Sequence, residues 1–250
     1  MLSRGLNILS ALGDYPEGVS VTELARTLDL PVSTTHRLLS TEIELGFVSI
    51  DTEHKTYRLG VRVFELANRV RGVLSLADVA HPVMRELSRT TGETVQLSVL
   101  SNGQALFIEK VGTEQAVGIR GSVGRGEPLY ATSTGKTLLS QLSPDRLGDV
   151  LAGMSYVAWT PTTIVDEAAL RAELDVVRER DYATADEEFD QGVRAIGVPV
   201  RDGRGATRAA LCVSAPAFRV PMDRLTSWLP ELRSAAAAIG VQMPLSGVEF

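Results

Sequence analysis

The stretch "SVTELARTLDLPVSTTHRLLSTEIELGFV", residues 20–48, limits the fold of this chain more than any other. Thr22 stands where a short helix takes a capping hydroxyl, and Leu24, Ala25 and Leu28 follow at the spacing of its buried side. Asp29-Leu30-Pro31 makes a tight connection. A second helix is predicted from near Ser33, with Leu38 and Leu39 turned inward. Two short helices, a small alanine where they cross and a turn of roughly three or four residues make a helix-turn-helix.

The exposed side of the second helix is expected to carry Ser33, Thr34, Thr35, His36 and Arg37. Short hydrogen-bonding side chains let a helix backbone approach base edges in a major groove, and Arg37 can reach a guanine edge or a phosphate. Phe47–Ile50 and Thr56–Leu59 read as two strands around the turn Asp51–Lys55, a wing whose Lys55 and Arg58 would face the sugar-phosphate backbone. Arg26, on the first helix of the pair, completes the candidate DNA contacts. Double-stranded DNA is the expected partner. The competing reading is a protein-interaction module, in which hydroxyls at a helix start only cap it.

Upstream, Leu2, Leu6, Leu9 and Leu12 fall near one face of a helix that Gly13–Gly18 ends. A net charge of −6 sits uneasily with nucleic acid, and residues 1–72, with eight Lys/Arg against nine Asp/Glu, are near neutral. Binding would rest on a small local patch and on pairing of two copies, because few phosphate contacts bind weakly. The apolar content of 44% is that of a globular protein, and no apolar run has the length of a membrane span. The first residues make a poor signal peptide, and a single cysteine, Cys212, allows neither an intrachain disulfide nor a multi-cysteine zinc site. A cytoplasmic location is the expectation.

After the wing, residues 60–70 have helical spacing, and Ser75 is expected to open a helix over Leu76–Thr91 that Pro82 bends or restarts. Thr94–Leu100 and Ala105–Val111 flank Asn102-Gly103, a hairpin signal. A short strand is predicted at Ala116–Ile119 and longer ones at Val193–Val200 and Ala209–Ser214. Helices are predicted near Ser133–Gln141, Pro144–Ala152, Glu167–Arg180 and, unbroken, Met222–Val241. The pattern implies an α+β sensor domain with largely antiparallel pairing.

Within this part, "YATSTGKTLL" (130–139) resembles the end of a phosphate-binding loop, but Tyr130 occupies the place of the required second glycine. Ser133 and Thr134 precede an apolar helical run instead, so backbone N–H groups and hydroxyls converge at a helix start that suits a small carboxylate. Gly135 would allow close approach of that ligand, and Lys136 reads as a solvated helix charge or a bystander. Enzyme chemistry has little support: His36 and His54 lie in the DNA-binding half and His81 in the connecting region, and none can be placed beside a nucleophile in the sensor domain. The carboxylates Glu187, Glu188 and Asp190 read best as a solvated turn ended by Gly192. The alternatives are an enzyme with an accessory winged domain and the DNA-free interaction module.

The motifs RGLNIL (4–9), ELA-RTLDLP-STTHRLL (23–39), GFV (46–48), Y-LG (57–60), PLYATSTGKTLL (128–139), EEFDQGVRAIGVPVRD (187–202) and AALCVSAP (209–216) together resemble the IclR family of bacterial transcription regulators over nearly the whole chain. The resemblance implies a winged helix-turn-helix (1–60), a linker helix (61–76) and a GAF-like effector-binding domain (77–250). It also implies a dimer or tetramer on an inverted-repeat operator, a repressor's role, and a small organic acid or aromatic compound as effector, with no cofactor and no metal. It places the effector site at Ser133 and Thr134, faced by Ala195, Cys212 and Ser214, with Ile119 and Leu129 as apolar cover and Asp186 as a polar rim. Cys212 and Ser214, two residues apart, share a strand face; a buried core thiol and a hydroxyl serving a neighbouring backbone group remain the ordinary alternatives. Two departures stand out. Glu42 replaces the family's leucine, so that the helix end rotates or Leu45 fills the gap, and the basic N-terminal extension common in relatives is missing.

Overall fold

Gly5, Ile8, Leu9 and Leu12 recur every three or four residues, and it is this stripe that the first helix turns inward. In the computed structural model, which describes residues 1–67, 69, 71–119 and 121–243 without the side chains of 71–75, the chain forms two compact units, residues 1–71 and 72–250.

In the first unit, α1 (Leu2–Leu12) buries Ile8 and Leu12. Leu2 and Leu6 stay exposed, against expectation, because the inward stripe passes through Gly5 instead. Helix α2 (Val21–Thr27) follows β1 (Val19–Ser20), and its cap is Ser20 rather than Thr22: the Ser20 hydroxyl accepts from the Glu23 N–H at 3.3 Å. Asp29 adopts a left-handed φ of 51°, and the Leu30 N–H returns to the Ala25 carbonyl at 2.9 Å. Helix α3 (Val32–Glu44) begins on Pro31, whose carbonyl accepts from the amides of Thr34 and Thr35. Strands β2 (Val48–Asp51) and β3 (Thr56–Leu59) form the wing, and β1 joins β3 to give the order β1-β3-β2. Ile8, Leu12, Val19, Leu24, Leu39, Val48 and Tyr57 make the core. Helix α4 (Val61–Ala67) ends the unit; Asn68 and Val70, in the helical run expected here, lie outside the described residues.

Glu42 occupies the buried side of α3, and a Cβ at Gly5 would lie 3.1 Å from its Oε1. The carboxyl therefore takes up the space itself. Leu45 does not fill it, being 60% exposed.

The second unit opens with α5 (Arg71–Thr91), which runs on through Pro82. The hairpin of β4 (Thr94–Ser101) and β5 (Gln104–Val111) turns on Asn102 and Gly103, both with positive φ, as the turn demands. Ala116–Ile119 forms no strand. Lys110 Nζ donates to the carbonyls of Ile119 and Gly121, each at 2.9 Å, so a side chain holds groups that a ladder would use. The next strand is β6 (Gly126–Pro128), followed by α6 (Ser133–Ser140), α7 (Pro144–Ala152) and α8 (Glu167–Arg180). Then come β7 (Ala183–Asp186), unpredicted because four residues with alanine as the only apolar side chain give a weak strand signal, β8 (Val193–Arg201) and β9 (Thr207–Pro216). The last helical stretch divides into α9 (Met222–Thr226) and α10 (Leu229–Gln242), where Pro230 starts a new first turn.

The six strands run antiparallel in the order β6-β5-β4-β9-β8-β7. Alternation along β9 sorts the two faces: Leu211, Val213 and Ala215 pack with α5, α9 and α10, while Ala210 joins the core beneath α6, α7 and α8. The fold is α+β, with helices on both faces of the sheet. Cys212 and Ser214 take the same face as Ala210, under α6.

Candidate functional site

In the first unit, Arg26, Ser33, His36, Arg37, Lys55 and Arg58 are exposed and Thr34 is half-buried. Thr35 departs from expectation. It is wholly buried, and its hydroxyl donates to the Pro31 carbonyl at 3.2 Å, so it locks the start of α3 instead of facing solvent. The outward row of α3 is therefore Ser33, His36 and Arg37, extended by Thr41. Val32, 46% exposed in the first turn, is an addition that the polar-residue pattern passed over. Lys55 has φ 54° at the wing turn, beside the acidic Asp51 and Glu53, and Arg58 Nε donates to the Ser49 hydroxyl at 3.4 Å.

In the second unit a cavity lies between the sheet and the start of α6. Its open space of about 50 Å³ suits roughly three or four waters, at about 10–15 Å³ each. Thr132 caps α6: its Oγ1 accepts from the Gly135 N–H at 3.1 Å and donates to the Pro128 carbonyl at 2.9 Å. First-turn amides have no helical acceptor, which leaves the N–H groups of Ser133 and Thr134 for the cavity. The floor is β4 and β9, where the Ser214 hydroxyl donates to Gln96 Oε1 at 2.8 Å and the Cys212 thiol lies 3.7 Å from the same oxygen. Burial, and then the Glu127 carboxylate, push the Cys212 thiol up to about 12, so it is an inert thiol rather than a nucleophile.

Of the expected effector residues, Ile119, Ser133, Thr134, Ala195, Cys212 and Ser214 line this cavity. Leu129 and Asp186 do not. The Leu129 side chain is buried in the core beneath α6 and α7, and Asp186 is drawn aside by the Arg194 guanidinium. Gln96, Phe107, Glu127, Phe189 and Asp190 also line the cavity and escaped the sequence reading. They lie on elements distant in sequence, and only the register of β4 on β9, Gln96 opposite Cys212, brings the first of them in.

Two further corrections concern α6. Gly135 admits a backbone, not a ligand: a Cβ there would lie 2.3 Å from the Leu129 carbonyl oxygen. Lys136 is 1% exposed rather than solvated, with Nζ at 2.8 Å from Glu188 and 3.7 Å from Glu173. Glu188 thus belongs to no solvated turn; burial raises its pKa, and the Lys136 ammonium opposes that rise. Glu187 Oε2 meanwhile accepts from the Gly192 N–H at 2.7 Å. Among the described residues no cluster of three or more metal-ligating side chains occurs, and no helix is long and apolar enough to cross a membrane.

Comparison with known proteins gives a consistent picture. Residues 1–51 match the family described as the IclR helix-turn-helix domain, and residues 69–241 match the bacterial transcriptional regulator IclR C-terminal family. The chain is 37% identical to the HTH-type transcriptional regulator KdgR of Escherichia coli, over 94% of this chain and 89% of that one. It is 35% identical to the acetate operon repressor of Salmonella typhimurium, over 90% and 83% of the two chains. Among solved structures, an IclR homolog from Microbacterium hydrocarbonoxydans complexed with 4-hydroxybenzoate superposes with a TM-score of 0.83 at 28% identity, covering 97% of this chain and 98% of that one. These relatives are transcriptional regulators and not enzymes.

Proposed function

Because the chain belongs to the IclR family of bacterial transcriptional regulators, we propose that it is a cytoplasmic repressor whose operator binding is altered by a small organic acid or aromatic carboxylate. The observation that carries this reading is the start of α6, where the Ser133 and Thr134 amides and hydroxyls meet a cavity. In this reading residues 1–60 bind DNA, 61–76 connect, and 77–250 bind the effector.

Ser33, His36 and Arg37 read base edges in the major groove, Val32 meets a thymine methyl, and Arg26, Lys55 and Arg58 hold phosphates. Thr35 supports this set from inside by fixing the first turn of α3. A dimer, or a tetramer built from dimers, presents two such helices to an inverted repeat. The effector acts by binding one arrangement of the two copies better than the other. A relative complexed with 4-hydroxybenzoate supports an acid as the ligand class.

The test is a footprint on the DNA upstream of the chain's own gene. Arg37→Ala should lose the specific footprint, while the rise in melting temperature given by short oxo-acids and aromatic carboxylates stays as in the wild type. A normal footprint from Arg37→Ala would mean that α3 is not the reading helix.

A further inference from the structure

The cavity beside α6 holds more acid than a site for a bare carboxylate should. Glu127, on β6, lines it with a carboxyl that no hydrogen bond or ion pair engages among the described residues. Asp190 lines the same cavity and, after burial, disfavours Glu127 ionisation, while the Arg125 guanidinium, outside the lining, favours it less strongly; that carboxyl stands at about 7. No lysine or arginine is among the described lining residues, and the nearby ammonium of Lys136 is taken by Glu188 and Glu173. The cavity thus has two poles. Ser133 and Thr134 offer donors at one, and Glu127 offers an unused acceptor at the other.

We propose that Glu127 is a specificity-determining residue that accepts a hydrogen bond from a hydroxyl of the ligand, so that the effector is a short hydroxylated carboxylic acid with its carboxylate on the α6 start. The inference rests on the effector reading of this cavity given above. A ligand with only a carboxylate would leave Glu127 without a hydrogen-bond partner in the occupied cavity, which costs affinity. A hydroxyl relieves this in either protonation state of Glu127, because an ionised carboxylate and the carbonyl oxygen of a neutral carboxyl both accept. An ammonium is disfavoured by comparison, since it must shed far more hydration to enter so small a space. The open space of about 50 Å³ also sets the size: a chain of few heavy atoms fits without rearrangement.

The experiment uses the full-length protein and matched pairs of acids: acetate with glycolate, propionate with lactate, butyrate with 3-hydroxybutyrate. Affinities are measured by titration calorimetry for the wild type, Glu127→Leu and Glu127→Gln. The wild type should prefer the hydroxylated member of a pair by about tenfold or more. Glu127→Leu should bring the two members within about threefold without weakening the unhydroxylated one, whereas Glu127→Gln, whose amide oxygen still accepts, should keep most of the preference. Equal binding of both members by the wild type, a preference that survives Glu127→Leu, or tighter binding of glycine and alanine than of glycolate and lactate would each overturn the proposal. Failure of every acid to bind the wild type would instead remove the effector reading of the α6 cavity, and this inference with it.

Discussion

Lys136 Nζ lies 2.8 Å from both carboxylate oxygens of Glu188, a residue 52 positions further along the chain. The pair ties α6 to the loop after β7, and Glu188 itself lines the cavity that Ser133 and Thr134 face. Neither charge tolerates the loss of the other, because an uncompensated ion buried at this depth has no water to replace its partner.

Lys136→Met should therefore destabilise the second unit by about 3–5 kcal/mol, and Lys136→Met combined with Glu188→Leu should recover most of that loss. Urea unfolding of the two variants checks the expectation. Equal losses in the single and double variants would mean that Lys136 contributes packing rather than charge.

Gly135 gives a second prediction about the same helix. A Cβ at this position meets the Leu129 carbonyl oxygen at 2.3 Å, and a backbone carbonyl cannot rotate away as a side chain can. Gly135→Ala should cost about 3 kcal/mol and displace the start of α6, lowering acid affinity as well as stability. If Gly135→Ala melts with the wild type, the approach of Leu129 to α6 is looser than described.

Glu42 predicts a pH dependence in the first unit. Burial raises its carboxyl to about 7, above the usual carboxylate value, and its Oε2 has no hydrogen-bond partner among the described residues. The folded state holds this proton more tightly than the unfolded state does. Stability is accordingly full below about pH 4.5 and falls as pH rises through 7. The loss is on the order of 1–3 kcal/mol, since the site is only partly cut off from solvent. Glu42→Leu should raise the midpoint of unfolding at pH 8 and flatten its dependence between pH 5 and 8. An unchanged pH profile in Glu42→Leu would assign the titration to another group.

The helix-turn-helix and wing could be read from the sequence because their signals are local: a capping hydroxyl, a proline, and leucines three and four residues apart. The antiparallel hairpin at Asn102-Gly103 was legible for the same reason. Thr35 was misplaced because a hydroxyl in a first helical turn looks alike whether it faces DNA or returns to the carbonyl four residues back. The cap of α2 falls on Ser20 rather than Thr22 for a similar reason, as two hydroxyls two residues apart compete for one role. The cavity was only half legible. Ser133, Thr134, Cys212 and Ser214 lie in recognisable motifs, but Glu127 and Gln96 enter through strand register, and Lys136 looked like any surface lysine until the fold supplied Glu188.

Whether an acid in the α6 cavity alters DNA binding is read in one titration that follows both activities. Binding to the upstream DNA is followed by gel shift as the acid that most raises the melting temperature is added, for the wild type and for Ser133→Ala combined with Ser214→Val. The acid should shift the wild-type DNA-binding midpoint by about tenfold, in line with an allosteric coupling of ordinary size. The double variant should bind DNA normally without the acid and show no shift. A shift of equal size in both proteins would place the effector outside the α6 cavity.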